Sequence, residues 1–226
     1  MGIMLQTYDA FIARVEAIGF FPFSQIISGL PSMVAETPKE IWHTGLESDP
    51  WRWKDRAAEE KRLAYGCILG GHKGFITRRM YPIFYTAYHP FKPMPDRWST
   101  GTINQMTWKI WGLFEETGVL TISQVRKMLG VSRRKGGSAA DAAIKILQQE
   151  FYITMDGSER KINARGEFYG WPVNRYRRVV DWVSEGWLNT TGQWDAVQAG
   201  QSILDEGMAM SVDIDRKVLA KKFKLP

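Results

Sequence analysis

The feature that most restricts the fold is the order of helix and strand signals between residues 103 and 178. Apolar residues at helical spacing from Ile103 predict a helix that ends at Gly118, and "VLTI" predicts a short strand after it. A two-turn helix, "SQVRKMLG", is followed by a basic loop and by a third helix, at whose start Ser138 and Asp141 have capping-box spacing. "FYITMDG" and "FYGWPVNRYRRV" predict a hairpin. This order is that of a winged helix, a variant of the helix-turn-helix.

The residues before this region are predicted to be mainly helical. Thr7 and Gly19 bound a short amphipathic helix, and "TPKE" has the spacing of a capping box with proline at the first helical position. Asp49 and Pro50 repeat that signal, and apolar residues after them predict one long helix, with Trp53 facing a core, that ends near the Gly70 pair. "GFITRRMYPIFYTAYHP" predicts a further helix interrupted at its proline.

A proline-rich stretch suggests a boundary between subdomains. Residues 89–101, "HPFKPMPDRWSTG", hold three of the ten prolines in the chain. We therefore expect an α+β, mainly α protein with a helical N-terminal region (1–98), a winged-helix domain (99–188) and a helical C-terminal extension (189–226).

Positive charge is concentrated in the predicted winged helix. The chain of 226 residues has a net charge of +6, and from residue 121 to 180 twelve lysines and arginines stand against five acidic residues. This quarter of the chain therefore accounts for the whole net charge. The bases collect in the loop before the third helix and in the hairpin, which are the parts of a winged helix that commonly meet phosphates.

The distribution of charge predicts DNA as a partner, bound mainly through its backbone. The outward positions of the third helix offer few side chains that could read base edges. The predicted nucleic-acid-binding residues are Arg133, Arg134, Lys135, Ser138, Lys145, Arg160, Lys161, Arg165 and Arg175.

Several other classes of protein are not indicated. The single Cys67 cannot form an intramolecular disulfide, and no cluster of histidines and cysteines indicates a metal site or other cofactor. No apolar run approaches the length of a membrane span, and the first residues lack the apolar core of a signal peptide. We therefore expect a cytoplasmic protein without a membrane partner.

The segment "HTGLESDPWRWKDR" and the residues after it hold the candidates for catalysis. Glu60 falls on the apolar stripe of the predicted long helix near Trp53, and burial there would raise the pKa of its carboxyl group. The alternative is that Glu60 lies at the rim and pairs with Lys61 or Arg56. His43 is the second candidate, and its alternative is a hydrogen-bonded turn histidine.

The chain also resembles a known family. "IWHTGLESDPWRWKDRAAEEKRLAYG", "LFEETGVLTISQVRKMLG", "LQQEFYITMDGS" and "GEFYGWP" are similar to small bacterial relatives of winged-helix alkylpurine and crosslink DNA glycosylases, over about residues 8–185. The resemblance implies a winged helix and a link to DNA. The larger enzymes carry a Gln-x-Gln or Gln-x-Asp motif on an N-terminal winged helix. Gln193 and Asp195 match its letters but not its place, so catalysis is not assigned to them.

Three functions remain open at this point. The first is a DNA-binding protein with mainly nonspecific backbone contacts. The second is a glycosylase-like enzyme, or another enzyme acting on modified bases, with a pocket near Trp53 and Glu60. The third is a module that binds a protein partner, which predicts a large exposed apolar patch.

Overall fold

A computed structural model describes residues 4–132, 134–163, 165–184, 186–189 and 191–225. Within these ranges the protein is α+β, with ten α-helices around two three-stranded antiparallel sheets. None of the helices described there is long and apolar enough to cross a membrane.

The first half of the chain supplies four helices and one of the sheets. Its elements are α1 (Tyr8–Ile18), β1 (Phe20–Pro22), α2 (Pro50–Glu59), β2 (Leu63–Leu69), β3 (His72–Thr77), α3 (Tyr81–Tyr88) and α4 (Met94–Ser99). The predicted starts of α1 and α2 are confirmed, because the side chains of Thr7 and Asp49 accept backbone hydrogen bonds from Ala10 and Trp51.

The long helix predicted from residue 50 to Gly70 is wrong in its second half. The helix α2 ends at Glu59, and Lys61 takes a left-handed φ of 53° that stops it. Residues 63–69 form β2 instead and pair with β3. Because β2 is buried on both faces, its apolar residues run continuously and do not show the alternation that marks a half-exposed strand.

Two other local predictions are also corrected. The segment expected to be one interrupted helix contains the strand β3 and then α3, which has Pro82 in its first turn. The "TPKE" signal gives only one 3₁₀ turn, Lys39–Ile41, without a side-chain cap. The hydroxyl of Thr37 donates instead to the carbonyl oxygen of Met33, at 2.6 Å.

The second half of the chain supplies six helices and the other sheet. Its elements are α5 (Gln105–Thr117), β4 (Val119–Thr121), α6 (Ile122–Met128), α7 (Gly137–Gln149), β5 (Ile153–Ile162), β6 (Phe168–Arg178), α8 (Val179–Trp182), α9 (Ala196–Met208) and α10 (Arg216–Phe223). The strands lie in the order β4-β6-β5, and β5 and β6 form the expected hairpin.

The caps of α6 and α7 differ from the expected ones. Thr121 and Gln124 form a capping box at the start of α6. The helix α7 follows Gly136 in a left-handed conformation and has no side-chain cap. The capping box expected at Ser138 and Asp141 is absent because the helix already begins at Gly137, so Ser138 lies inside it. Asp141 instead binds Arg126 of α6, at 2.6 Å, and so fixes α6 against α7.

The sheet β1-β3-β2 lies between the two apolar cores. Phe21, Tyr65 and Phe75 face the first core, whereas the neighbouring Phe20 and Ile76 face the second. Each strand of this sheet therefore has apolar residues on both faces, as the alternation of side chains along a strand requires.

Both cores draw residues from either side of the predicted boundary at residue 98. The first contains Val15 as well as Leu147, and the second contains Phe84 as well as Phe223. The three-part division of the chain stays a prediction. The packing nevertheless brings the segment before α2 against the hairpin, where the candidate site lies.

Candidate functional site

A single buried carboxylate organises the segment before α2. One oxygen of Asp49 accepts the backbone N–H groups of His43 (3.1 Å) and Trp51 (2.9 Å), and the other accepts that of Gly45 (2.9 Å). His43 takes a left-handed φ of 61°. The turn is thereby folded back against the start of α2, and this explains why the acid, the proline and the histidine occur together.

The next turn of α2 buries two of its side chains. Trp53, predicted to face a core, is 1% exposed, and its indole N–H donates to the backbone oxygen of Glu47 at 2.8 Å. Lys54 is buried and ion-paired with Asp55. Its ammonium lies 4.7 Å from the ring centroid of Trp51. Burial lowers the pKa of Lys54.

The base of the hairpin is anchored to the end of α2. Gly157 has a φ of 108°, and a side chain there would come within 3.3 Å of Glu59, so glycine permits this close approach. Arg175 donates to the backbone oxygen of Asp156 at 2.8 Å and lies 3.7 Å from the carboxylate of Glu59. These contacts hold the strands of the hairpin beside the helix.

Two adjoining cavities, of about 580 and 500 Å³, lie between α2 and the hairpin. We call them together the α2–hairpin cleft, and both are lined by Arg52, Asp55 and Pro172. The larger one is also lined by Trp51, Arg160 and Trp171. The smaller one is also lined by Glu47, Trp53, Arg56, Glu59 and Ser158.

The lining of the cleft combines aromatic, acidic and basic groups. Trp51 and Trp171 offer flat surfaces, and the ring of His43 joins them, with centroids 5.4 Å and 5.6 Å away. The acidic Asp55 lines both cavities, and the basic Arg160 lines the larger one. Such a lining suits a flat ring that is attached to an anionic chain.

Glu60 lies outside this cleft. Its carboxylate accepts hydrogen bonds from Arg56 (2.7 Å) and from the hydroxyl of Tyr8 (2.9 Å). The hydrogen bond from Arg56 lowers the pKa of Glu60, whereas burial was expected to raise it. The expected alternative, pairing with Arg56 at the rim, is what the structure has. The cavity beside Trp53 therefore exists, but Glu60 does not line it.

The predicted nucleic-acid-binding residues fall in two places. Arg134, Lys135 and Ser138 are exposed at the α6–α7 loop and the start of α7, and Lys145 is exposed farther along that helix. Arg133 lies outside the described residues. Arg160, Lys161 and Arg165 follow one another along the end of the hairpin, and Arg175 lies nearer its base.

Ion pairing separates these bases into two groups. Arg175 and Arg177 both contact Asp156, and Arg178 contacts Asp181. In contrast, no described carboxylate pairs with Arg160, Lys161 or Arg165, and Arg160 instead lies 5.3 Å from the ring of Phe168. Arg175 is thus a residue that positions the hairpin, while the end of the hairpin carries unneutralised charge.

The end of the hairpin also exposes large apolar side chains. Between about half and two thirds of the side-chain surface is exposed in Ile162, Phe168, Tyr169 and Trp171. Trp51, Asp55 and Trp171 were not predicted as site residues from the sequence. The available signal was that the tryptophan-rich block and "GEFYGWP" both carry the family resemblance.

The fold and the cleft define an α+β protein with an aromatic and acidic site beside a basic hairpin. The chain belongs to the AlkZ-related family, whose model matches residues 5–224. Among solved structures it is similar to the Streptomyces sahachiroi DNA glycosylase AlkZ, with 11% identity and a TM-score of 0.40 over 76% of this chain. The chain spans 50% of the length of that protein. None of the curated proteins compared with the chain matches it.

Proposed function

We propose that the chain is a DNA-repair protein of the glycosylase type, which removes a modified base held in the α2–hairpin cleft. The observation that carries the proposal is the position of Asp55, which lines both cavities and shares the larger one with Trp51 and Trp171. An enzyme that acts on a base in DNA extrudes it, stacks it on aromatic side chains and needs an acid or base at the sugar. Membership of the AlkZ-related family supports the same class of function.

The proposed chemistry uses only water and side chains of the cleft. Asp55 accepts a proton from a water molecule as the water oxygen bonds to C1′ of the deoxyribose. The bond from C1′ to the base nitrogen breaks, and the base leaves with that electron pair. An alkylated purine suits this step because its cationic ring becomes neutral as it leaves. Lys54, paired with Asp55, holds the carboxylate in place.

The test is the release of bases from DNA that carries N-methylated purines, measured by chromatography. We expect release by the wild type, and we expect Asp55→Asn to slow it by about 100-fold or more, because a positioned general base contributes about that much. Glu60→Gln is the matched control on the same helix and should keep most of the rate, because Glu60 does not line the cleft.

Three results would contradict this proposal. If the wild type releases no base from methylated DNA, the glycosylase function is wrong for this substrate class. If Asp55→Asn releases bases as fast as the wild type, Asp55 is not the catalytic group. A loss of release in Glu60→Gln without unfolding would return catalysis to Glu60.

We further propose that residues 105–178 form a winged helix and that this winged helix contacts the DNA. The order α5, β4, α6, α7, β5, β6 and the strand order β4-β6-β5 support this assignment. The exposed bases of the α6–α7 loop and of the hairpin end would contact phosphates on the two sides of α7. DNA binding without catalysis is the second function, and the unpaired bases of the hairpin favour it.

One observation favours a protein partner as the third function. The exposed apolar side chains of the hairpin end form the kind of patch that a protein-interaction module predicts. They lie on the same hairpin end as the unpaired bases, however, and a mixed aromatic and basic surface also suits nucleic acid. The dependence of DNA affinity on salt concentration separates these two functions, because only phosphate contacts release counterions.

A further inference from the structure

A third cavity, of about 440 Å³, lies at the opposite end of the hairpin from the cleft. It is formed by the end of α3, residues 89–95, α5, the two residues before β5, and Arg178 and Val180. Tyr152, which lines it and directly precedes β5, is eight residues before Arg160. At about 3.3 Å per residue this places the two sites roughly 25 Å apart. We call this second site the aromatic cavity.

The walls of the aromatic cavity are conjugated rings. His89 stacks on Tyr85, with centroids 4.5 Å apart, and lies 4.7 Å from Tyr152. Trp111 meets Tyr152 edge to face at 5.6 Å, and Phe91 meets Tyr85 in the same way at 5.6 Å. Ring faces and edges at these distances favour a flat conjugated ligand, which can stack on some rings and meet others edge to face.

The cavity also has one hydrogen-bond acceptor and one donor to offer. The Nδ1 atom of His89 lies 2.8 Å from the backbone oxygen of Glu150, and since a carbonyl only accepts, the proton is on Nδ1. Burial lowers the pKa of His89, so its ring is neutral at pH 7 and Nε2 carries a lone pair. The indole N–H of Trp111 is buried and has no acceptor among the described residues.

One residue that lines the cavity, Phe91, has an unfavourable backbone conformation. Phe91 has a φ of 52°, which is unfavourable for a residue with a side chain, yet it remains 56% exposed. The hydroxyl of Tyr152 donates to the backbone oxygen of the adjacent Lys92 at 2.6 Å and fixes this segment. Strain that leaves an aromatic ring at the mouth of a cavity is typical of a ligand-binding segment.

We propose that the aromatic cavity binds a flat nitrogen heterocycle of nucleobase size. The ring stacks among Tyr85, Phe91 and Tyr152, a ring nitrogen or carbonyl oxygen accepts from Trp111, and an N–H group donates to Nε2 of His89. A purely hydrocarbon ring would leave the donor and the acceptor unpaired. The charged groups of the lining, Lys92, Glu115 and Arg178, have mixed signs and so do not select a charged ligand. This site does not depend on catalysis in the cleft.

The test follows indole N–H signals by two-dimensional NMR in the full chain labelled with ¹⁵N-tryptophan. Trp111→Phe removes one signal and so identifies it. We expect adenosine to shift this signal saturably in the wild type. Isothermal titration calorimetry, which does not need the indole signal, should show that adenosine binds about five- to tenfold more weakly to Trp111→Phe, because one hydrogen bond is lost. Trp98→Phe is the matched control, since Trp98 is 40% exposed and stacks on Trp108 outside the cavity.

A second variant and a second ligand complete the design. His89→Phe keeps a flat ring but removes the acceptor, and should also weaken binding. A short single-stranded oligodeoxyadenylate distinguishes the source of the ring: tighter, salt-sensitive binding per base indicates an unpaired base of a strand, and equal binding indicates a free nucleoside. If neither ligand shifts the Trp111 signal, or if Trp111→Phe and His89→Phe bind as well as the wild type, the proposal is wrong.

Discussion

Replacing Arg160, Lys161 and Arg165 together by alanine should reduce the salt dependence of DNA binding. These three bases lie along the end of the hairpin, and the structure pairs none of them with a described carboxylate. They are therefore available to phosphates. Neutralising a phosphate releases counterions, so each such contact adds about 0.9 to the slope of log affinity against log salt.

The expected change is a loss of about 2.7 from that slope if all three bases contact phosphates. The ratio of the wild-type DNA affinity to that of the triple variant should therefore fall by roughly 40-fold between 50 and 200 mM salt. The assay is fluorescence anisotropy of a labelled duplex at several salt concentrations, so that the slope rather than one affinity is compared.

A second triple variant removes the same amount of charge elsewhere. Lys217, Lys221 and Lys222 are exposed on α10, away from the hairpin, and their replacement by alanine should leave the slope unchanged. If both triple variants lower the slope equally, net charge rather than the hairpin governs binding. If the wild type does not bind duplex DNA at low salt, the hairpin is not a DNA contact, and its exposed apolar residues favour a protein partner.

Two further predictions concern stability. Gly70→Ala should lower the free energy of unfolding by roughly 3 kcal/mol, because φ is 59° and the new Cβ would lie 2.3 Å from the backbone oxygen of Phe223. Gly101→Ala, with a φ of 66° and open space, should lose only about 1 kcal/mol, and equal losses in urea unfolding would contradict the packing argument. Burial lowers the pKa of Lys54 in the folded protein below its ordinary value of 10.5. Between these two pKa values the unfolded chain binds more protons than the folded chain, so the free energy of unfolding rises with pH. Lys54→Met, which leaves Asp55 in place, should flatten this rise in urea unfolding from pH 7 to 10; an unchanged slope would show that Lys54 is not responsible.

The parts of the fold that follow from local chemistry could be predicted from the sequence. Asp49 starts a helix because its carboxylate can accept free backbone N–H groups, and Gly118 ends one because it tolerates a left-handed φ. The element order of the second half follows from such signals. The strand β2 could not be recognised, because burial by helices on both of its faces removes the alternation that distinguishes a strand.

The candidate site could be predicted only in part. The block around Asp49 and the hairpin were each noticed, but their contact joins residues more than 100 positions apart, and no local pattern encodes it. The direction in which Glu60 points could not be predicted, because it depends on the residue at which α2 ends. Because α2 ends at Glu59 and not near Gly70, Glu60 turns towards Tyr8, and Asp55 is the acid that lines both cavities of the cleft.

The sheet between the two cores links their stabilities. Unfolding of either core would expose one apolar face of β1, β3 and β2 to water. The stability of each core therefore depends on the other. The backbone amides of these three strands can exchange with deuterated solvent only when both cores open, and they should be the last in the protein to do so. The helices that line the cleft and the aromatic cavity can then move locally while this central sheet remains folded.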